Sequence, residues 1–282
     1  MASDTTTIHF LGTRGSVPVS GDAFLKYGGN TTSIRISSPV ISDLLLFDCG
    51  SGMVGLGNEI ESAGIPVFGN IFLTHPHLDH LLGIPFFKPF YNPKNMFRIY
   101  MPDQHDAGCR EVISRVMTPP FFPVTPDAFG SATDFVTSDD HMLFHGEGFT
   151  VESAPVCHPG ETVMYKITIA GKTIVFCPDN ELAMASPGLR ENMLNFIKNA
   201  DVLIHDGQES VESYSLVKGR GHTAWEEATE FAIEANVKQL AIVHHSPDSD
   251  DKTLESREKT AAAKFGKKLN VLFARDGQNL TV

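Results

Sequence analysis

The sequence predicts an α/β fold of sheets covered by helices. Three observations support this: short apolar strand-like segments recur along the chain, segments of helical period fall between them, and the alternation runs through both halves. The first strand series is TTIHFL near the start, TTSIRIS after Asn30, LLLF before Asp48, NIFLT before His75 and FRIYM from Phe97. The second begins with residues 149 to 154 and continues with a hairpin whose strands flank Ala170 and Gly171. VLIH before Asp206, QLAIV before His244 and NVLFA near the end complete it. Several of these segments end at a residue able to do chemistry.

Helices are predicted over 53 to 63, 111 to 117 and 189 to 198 from apolar residues at helical spacing, and over 253 to 266 from an Ala-rich, charged stretch. A further helix is predicted to start at Thr223, where Thr223 and Glu226 have the spacing of a capping box and Trp225, Ala228, Ala232 and Ile233 supply a buried stripe. Residues 118 to 132, with four prolines and Phe121, Phe122 and Phe129, read as a packed loop.

The 282 residues, 41% hydrophobic and 20% charged, are the composition of an ordinary globular protein, and a single domain over 1 to 282 is the expectation. A net charge of -12 argues against an extended nucleic-acid partner, because long polyanions are held by many Lys and Arg contacts. Cys49, Cys109, Cys157 and Cys177 include no CxxC pair, so a disulfide framework or zinc ribbon is not expected. The start, MASDTTTIHF, lacks the features of a signal peptide, and no run reaches the roughly 18 apolar residues of a membrane span. A cytoplasmic location and no membrane partner are the resulting expectations.

The strongest chemical signal is THPHLDH at 74 to 80, directly after an apolar strand. His75, His77, Asp79 and His80 place four donors within six positions. A tight loop can turn the first two toward one metal and the last two toward a second, a mixed N/O set that suits borderline divalent ions.

With this H-x-H-x-D-H signature the sequence resembles the metallo-β-lactamase superfamily over nearly its whole length. The resemblance implies a four-layer αββα sandwich with two metals at the sheet ends. It implies His158, in VCHPGETVMYKI, as a third ligand of the first metal, and Asp179, in TIVFCPDNE, as the metal-bridging carboxylate. The last ligand of the second metal falls in QLAIVHHSPDSDD, where His244 and His245 both stand; the T-H pair that ends this strand in tRNA-processing relatives favours His245. FLGTRGSVP, YGGNTTSIRI and FDCGSG look like the phosphodiesterase-like and RNase Z-like branch. ADVLIHDGQES followed by KGRGHTAWEEA resembles the stretch where that branch carries a carboxylate and a non-ligand histidine, here Asp206 and His222.

The reading is a dinuclear phosphodiesterase that hydrolyses a small cyclic nucleotide by attack of a metal-bound hydroxide. Asp79, Asp206 and His222 are its catalytic candidates, and two divalent ions are its cofactors, Zn²⁺ favoured and Mn or Fe open. A homodimer is in keeping with the superfamily. The alternatives are an RNase Z-like endoribonuclease, disfavoured by Asp206 in place of glutamate and by no convincing tRNA-gripping arm, a lactone or thioester hydrolase, and a non-enzymatic metal-dependent nucleotide sensor.

Overall fold

Two sheets of seven strands, packed face to face, follow from the double strand series in the computed structural model, which describes residues 5–282. Residues 1–4, where the segment read for a signal peptide begins, lie outside the described residues. The first half contributes β1 (Thr7–Gly12), β2 (Ser33–Ser37), β3 (Leu44–Phe47), α1 (Met53–Ala63), β4 (Phe68–Phe72), β5 (Met96–Pro102), α2 (Cys109–Val116) and β6 (Ala132–Ser138). The second contributes β7 (Leu143–Gly146), β8 (Phe149–Pro155), β9 (Val163–Ile169), β10 (Lys172–Cys177), α3 (Pro187–Ile197), β11 (Val202–Asp206) and α4 (Val211–Val217). It continues with α5 (Trp225–Glu234), β12 (Gln239–Val243), α6 (Asp251–Phe265), β13 (Asn270–Phe273) and β14 (Asn279–Thr281).

The sheets run β14-β1-β2-β3-β4-β5-β6 and β13-β12-β11-β10-β9-β8-β7. In each, one side is antiparallel and the other parallel: β3 to β6 in the first, β10 to β13 in the second. The strands alternate between two apolar environments. Ile174, Phe176, Ile204, Ala241 and Val243 face the inter-sheet core with Phe10, Ile34, Phe47 and Phe72 of the first sheet. Val175, Leu203, Leu240 and Ile242 face the other way, onto α3, α5 and α6. The outer face of the first sheet is covered through Met53, Leu56, Val112 and Ile113 of α1 and α2. Strands buried on both faces read as continuous apolar runs such as LLLF and QLAIV, and that burial produces the αββα layering. Phe47, Phe72, Tyr165 and Phe176 meet at the centre with ring centroids 5.3 to 6.0 Å apart, each worth about 1.5–3 kcal/mol in burial. The Tyr165 hydroxyl donates across the interface to the Leu73 carbonyl at 2.7 Å, fixing the second sheet against the foot of the THPHLDH loop.

Two local expectations are corrected. The helix predicted from Thr223 begins at Trp225, and no side chain caps it. The Thr223 hydroxyl donates instead to the Asn180 carbonyl, and Glu226 accepts from the Val211 amide, so tertiary bonds have taken both members of the capping box. The 118 to 132 loop is only half packed. Phe129 stacks on Phe90 at 4.7 Å and Phe122 lies edge-on to Phe86 at 5.6 Å, but Phe121 is 83% exposed. Beyond the expected elements, β6, β7, α4 and β14 are present. Among the described residues no helix is long and apolar enough to cross a membrane.

Candidate metal centre

The THPHLDH loop leaves the C-terminal end of β4 and is anchored by a residue that sequence reasoning did not single out. Asp48 follows β3 in a left-handed backbone conformation and is fully buried. Its carboxylate accepts from the Thr74 amide at 2.7 Å, the Thr74 hydroxyl at 2.9 Å and His80 Nδ1 at 2.8 Å. The Thr74 hydroxyl has one proton, given to Asp48, so His75 Nδ1 donates to it at 3.0 Å. His158 Nδ1 donates to the Gly221 carbonyl at 2.8 Å and His244 Nδ1 to Gln208 Oε1 at 2.9 Å. Four histidines thereby spend Nδ1 on the scaffold and turn Nε2 inward, the arrangement a metal ligand needs.

The inward nitrogens converge. His77 Nδ1 lies 2.9 Å from His75 Nε2 and 3.1 Å from His158 Nε2. One proton can serve only one of those two contacts, whereas a cation serves all three nitrogens. Asp179 Oδ2 is 3.4 Å from His75, 3.5 Å from His158 and 3.5 Å from His80, and its Oδ1 is 3.1 Å from His244. Asp79 Oδ2 is 3.3 Å from His80 Nε2 and 3.2 Å from His244 Nε2, and it accepts from the Ser16 amide at 2.8 Å. Two donor sets result, His75, His77 and His158 with Asp179, and Asp79, His80 and His244, with Asp179 in reach of both. His80 Nε2 and Asp179 Oδ1 are buried without a hydrogen-bond partner among the described residues, as donor atoms for an ion would be. The residues fit a pair of divalent cations.

The electrostatics agree. Burial holds His75, His77 and His158 below the usual imidazole range, so they are neutral ligands. Burial would do the same to His80, but Asp79, Asp179 and Asp48 overcome it and raise its pKa well above the usual value. Burial would likewise raise the Asp79 and Asp179 carboxyls, yet the surrounding histidines hold both below the ordinary carboxylate range. A proton trapped among three carboxylates marks a place for a cation.

The expectation of His245 as the last ligand is corrected: His244 occupies that place. β12 ends at Val243 and His244 takes a left-handed backbone that breaks the strand alternation and turns its ring to the centre. Gly15 makes room, since a Cβ there would stand 2.2 Å from His244 Nδ1. His245 points the other way, donating from Nε2 to the Ala274 carbonyl at 2.8 Å and lying against Phe273 and Tyr27, with burial lowering its pKa to about 3.

The structure brings His222 and Asp206 together beside the same space. His222 Nδ1 donates to Asp206 Oδ2 at 3.1 Å, and its ring stacks on His244 with centroids 4.9 Å apart. Asp206 is held in turn by the Gln208 amide at 2.8 Å and the Thr223 amide at 3.0 Å. His222 also comes within ligand range of Asp179 and His244. With Asp179 shared, each donor set already has four members without it, so His222 is a surplus donor with a free Nε2.

A sandwich of two mixed sheets with this loop at the strand ends defines a class, the metal-dependent hydrolases built on the metallo-β-lactamase fold. Residues 44–245 match the Beta-lactamase superfamily domain, and the chain belongs to that superfamily. Ribonuclease Z of Natronomonas pharaonis is 25% identical, the match covering 85% of this chain and 86% of that one. Among solved structures, the metallo-beta-lactamase fold protein YhfI from Bacillus subtilis superposes with a TM-score of 0.70 at 19% identity, covering 99% of this chain and 100% of that one. A diphosphatase from the PhnP family superposes with a TM-score of 0.68 at 17% identity, covering 99% and 97%.

Proposed function

We propose that this hydrolase cleaves phosphodiesters, with a small nucleoside cyclic phosphate as its preferred substrate class. The observation that carries the reading is the His222–Asp206 pair, a surplus imidazole oriented by a buried carboxylate and facing both ligand sets. Burial would lower the His222 pKa, but Asp206 dominates and pushes it up to about 9, the direction that suits a proton donor. An alkoxide is a poor leaving group from phosphorus, and a cationic imidazole beside it protonates the departing oxygen or steadies charge on the phosphate. A divalent pair in the site supplies Lewis-acid charge for the phosphate oxygens and activates water. Asp79 and Asp179, with the five inward-facing histidines, would hold that pair, and the Ser16 amide fixes the Asp79 carboxylate.

An apolar hollow beside the metal loop supports the nucleoside reading. Leu78, between His77 and Asp79 in the metal loop, forms one wall of an apolar hollow of about 350 Å³ completed by Leu82, Phe86, Phe121 and Phe122, with Arg115 at its rim. The exposed Phe121 ring offers a stacking face for a flat heterocycle. The ribonuclease Z relatives favour a second reading, cleavage of RNA 3′ ends. The net charge of -12 weighs against it, since a long polyanion would meet an acidic surface. The test is turnover by metal-analysed protein of cyclic mononucleotides, cyclic dinucleotides, linear phosphodiesters, precursor tRNA and a lactone. Cyclic phosphates are expected to be cleaved faster than the lactone. Lactone turnover without any phosphodiester cleavage overturns the reading, and selective cleavage of precursor tRNA moves it to RNA processing.

A further inference from the structure

The segment Asp179–Asn180–Glu181 sends one side chain to the metal centre and two into the scaffold around it. The Asn180 side chain accepts from the Cys157 amide at 3.1 Å, next to His158, and its carbonyl accepts from Thr223. Glu181 is 3% exposed and has no cationic partner among the described residues. Its carboxylate takes three neutral donors instead: the Tyr214 hydroxyl of α4 at 2.7 Å, the Gly219 amide at 2.6 Å and the Gly221 amide at 2.7 Å. Gly219 and Gly221 both have left-handed backbones, and a Cβ on Gly221 would stand 2.2 Å from His158 Nδ1. All three donors lie on the stretch that leads into His222. Glu181 therefore holds the chain on one side of His222, while Asp206 holds Thr223 on the other. Three hydrogen bonds to one buried carboxylate are short and charge-assisted, far more restraint than a surface loop needs.

We propose that Glu181 is a positioning residue for proton donation: through the Tyr214 hydroxyl and the Gly219 and Gly221 amides it fixes the backbone that aims His222 at the leaving oxygen. This rests on the proposed function, in which His222 is the acid. Glu181 itself touches neither substrate nor metal. Its removal should therefore affect only substrates whose leaving group needs a proton.

The test compares wild type, Glu181→Gln and His222→Ala on two phosphodiesters, a nucleoside 3′,5′-cyclic phosphate with an alkoxide leaving group and bis(p-nitrophenyl) phosphate, whose nitrophenolate leaves unprotonated. Metal content and melting temperature are measured alongside. In Glu181→Gln the amide NH₂ confronts an N–H or O–H donor. We expect kcat on the cyclic phosphate to fall roughly 10²-fold with KM within about 3-fold, while nitrophenyl turnover stays within about 3-fold and metal content is unchanged. His222→Ala should show the same selectivity. Equal loss on both substrates, or loss of metal, overturns the proposal. Wild-type behaviour of Glu181→Gln beside a selective loss in His222→Ala overturns the positioning role alone. An unselective His222→Ala, or a wild type that cleaves neither ester, overturns the phosphodiesterase mechanism and this proposal with it. Should Glu181→Gln fail to fold, Tyr214→Phe, which removes one donor of three, must show the same selectivity at a smaller size, about 5-fold.

Discussion

The two sheets serve the metal centre in different ways. The first delivers His75, His77, Asp79 and His80 from a single loop, so their relative positions are set by local chain geometry and one anchor, Asp48. The second delivers His158 after β8, Asp179 after β10 and His244 after β12, one side chain per strand end. Asp179 and His244 meet because β10, β11 and β12 pair in parallel, aligning Cys177 with His205 and Asp206 with Val243, and His158 joins them through the antiparallel pairing of β8 and β10 with β9. One half of the centre is a motif and the other is a consequence of register. A slip of one residue in any of those strands would turn its functional side chain to the opposite face.

The largest effects should come from removing donors on either side. His80→Ala and His244→Ala are both expected to lower the metal content from about two ions to one and to take turnover to background, by elemental analysis and kinetics. His245→Ala should keep both ions and lose about 1–3 kcal/mol of stability by denaturant melts, from the unpaired Ala274 carbonyl. A metal-depleted His245→Ala with an intact His244→Ala would reverse the assignment. Next in size, His222→Ala should retain both ions and the fold while turnover of an alkyl phosphodiester falls roughly 10²- to 10⁴-fold. Asp48→Asn sharpens the contrast between a motif and its anchor: all four loop donors stay, yet affinity for metal in a chelator competition should weaken about 10- to 100-fold. Unchanged affinity would mean that the loop holds its own geometry. The smallest effect is structural. Asp276 accepts from the Thr13 amide at 3.0 Å, the Thr13 hydroxyl at 3.1 Å and the Asn30 amide at 2.8 Å, and Asp276→Asn should cost about 1–3 kcal/mol in a denaturant melt.

The same contrast explains what the sequence reveals. The apolar runs and the THPHLDH loop are legible because strand burial and loop chemistry are written in consecutive residues. His158, Asp179, His222 and Asp206 become visible only through the resemblance, since nothing local sets them apart from other residues at strand ends. The choice between His244 and His245 is closed to sequence because it turns on one left-handed backbone conformation, stabilised by the space that Gly15 leaves. The Thr223–Glu226 pair misleads for a related reason: its spacing suits a helix cap, but both groups bond to other segments of the chain. Asp48, Asn180, Gln208 and Glu181 escape notice because they act on the site through other residues. FDCGSG, PDNE and HDGQES are the trace they leave, polar residues directly after apolar strands.

The pairing of β14 with β1, Thr281 opposite Thr7, has a consequence for synthesis. A ribosome makes β1 and the turn from Thr13 to Ser16 well before Asp276 and β14, which fasten β1 and Thr13 and emerge more than two hundred and fifty residues later. Contacts so distant along the chain form slowly, because a large loop must close before they stabilise anything. Until then the edge of β1 is open and Thr13, three residues before the Ser16 amide that braces Asp79, lacks its Asp276 acceptor. The nascent hydrolase can pair β2 to β6 before then, but the fastening beside Ser16 forms only when Asp276 and β14 reach β1.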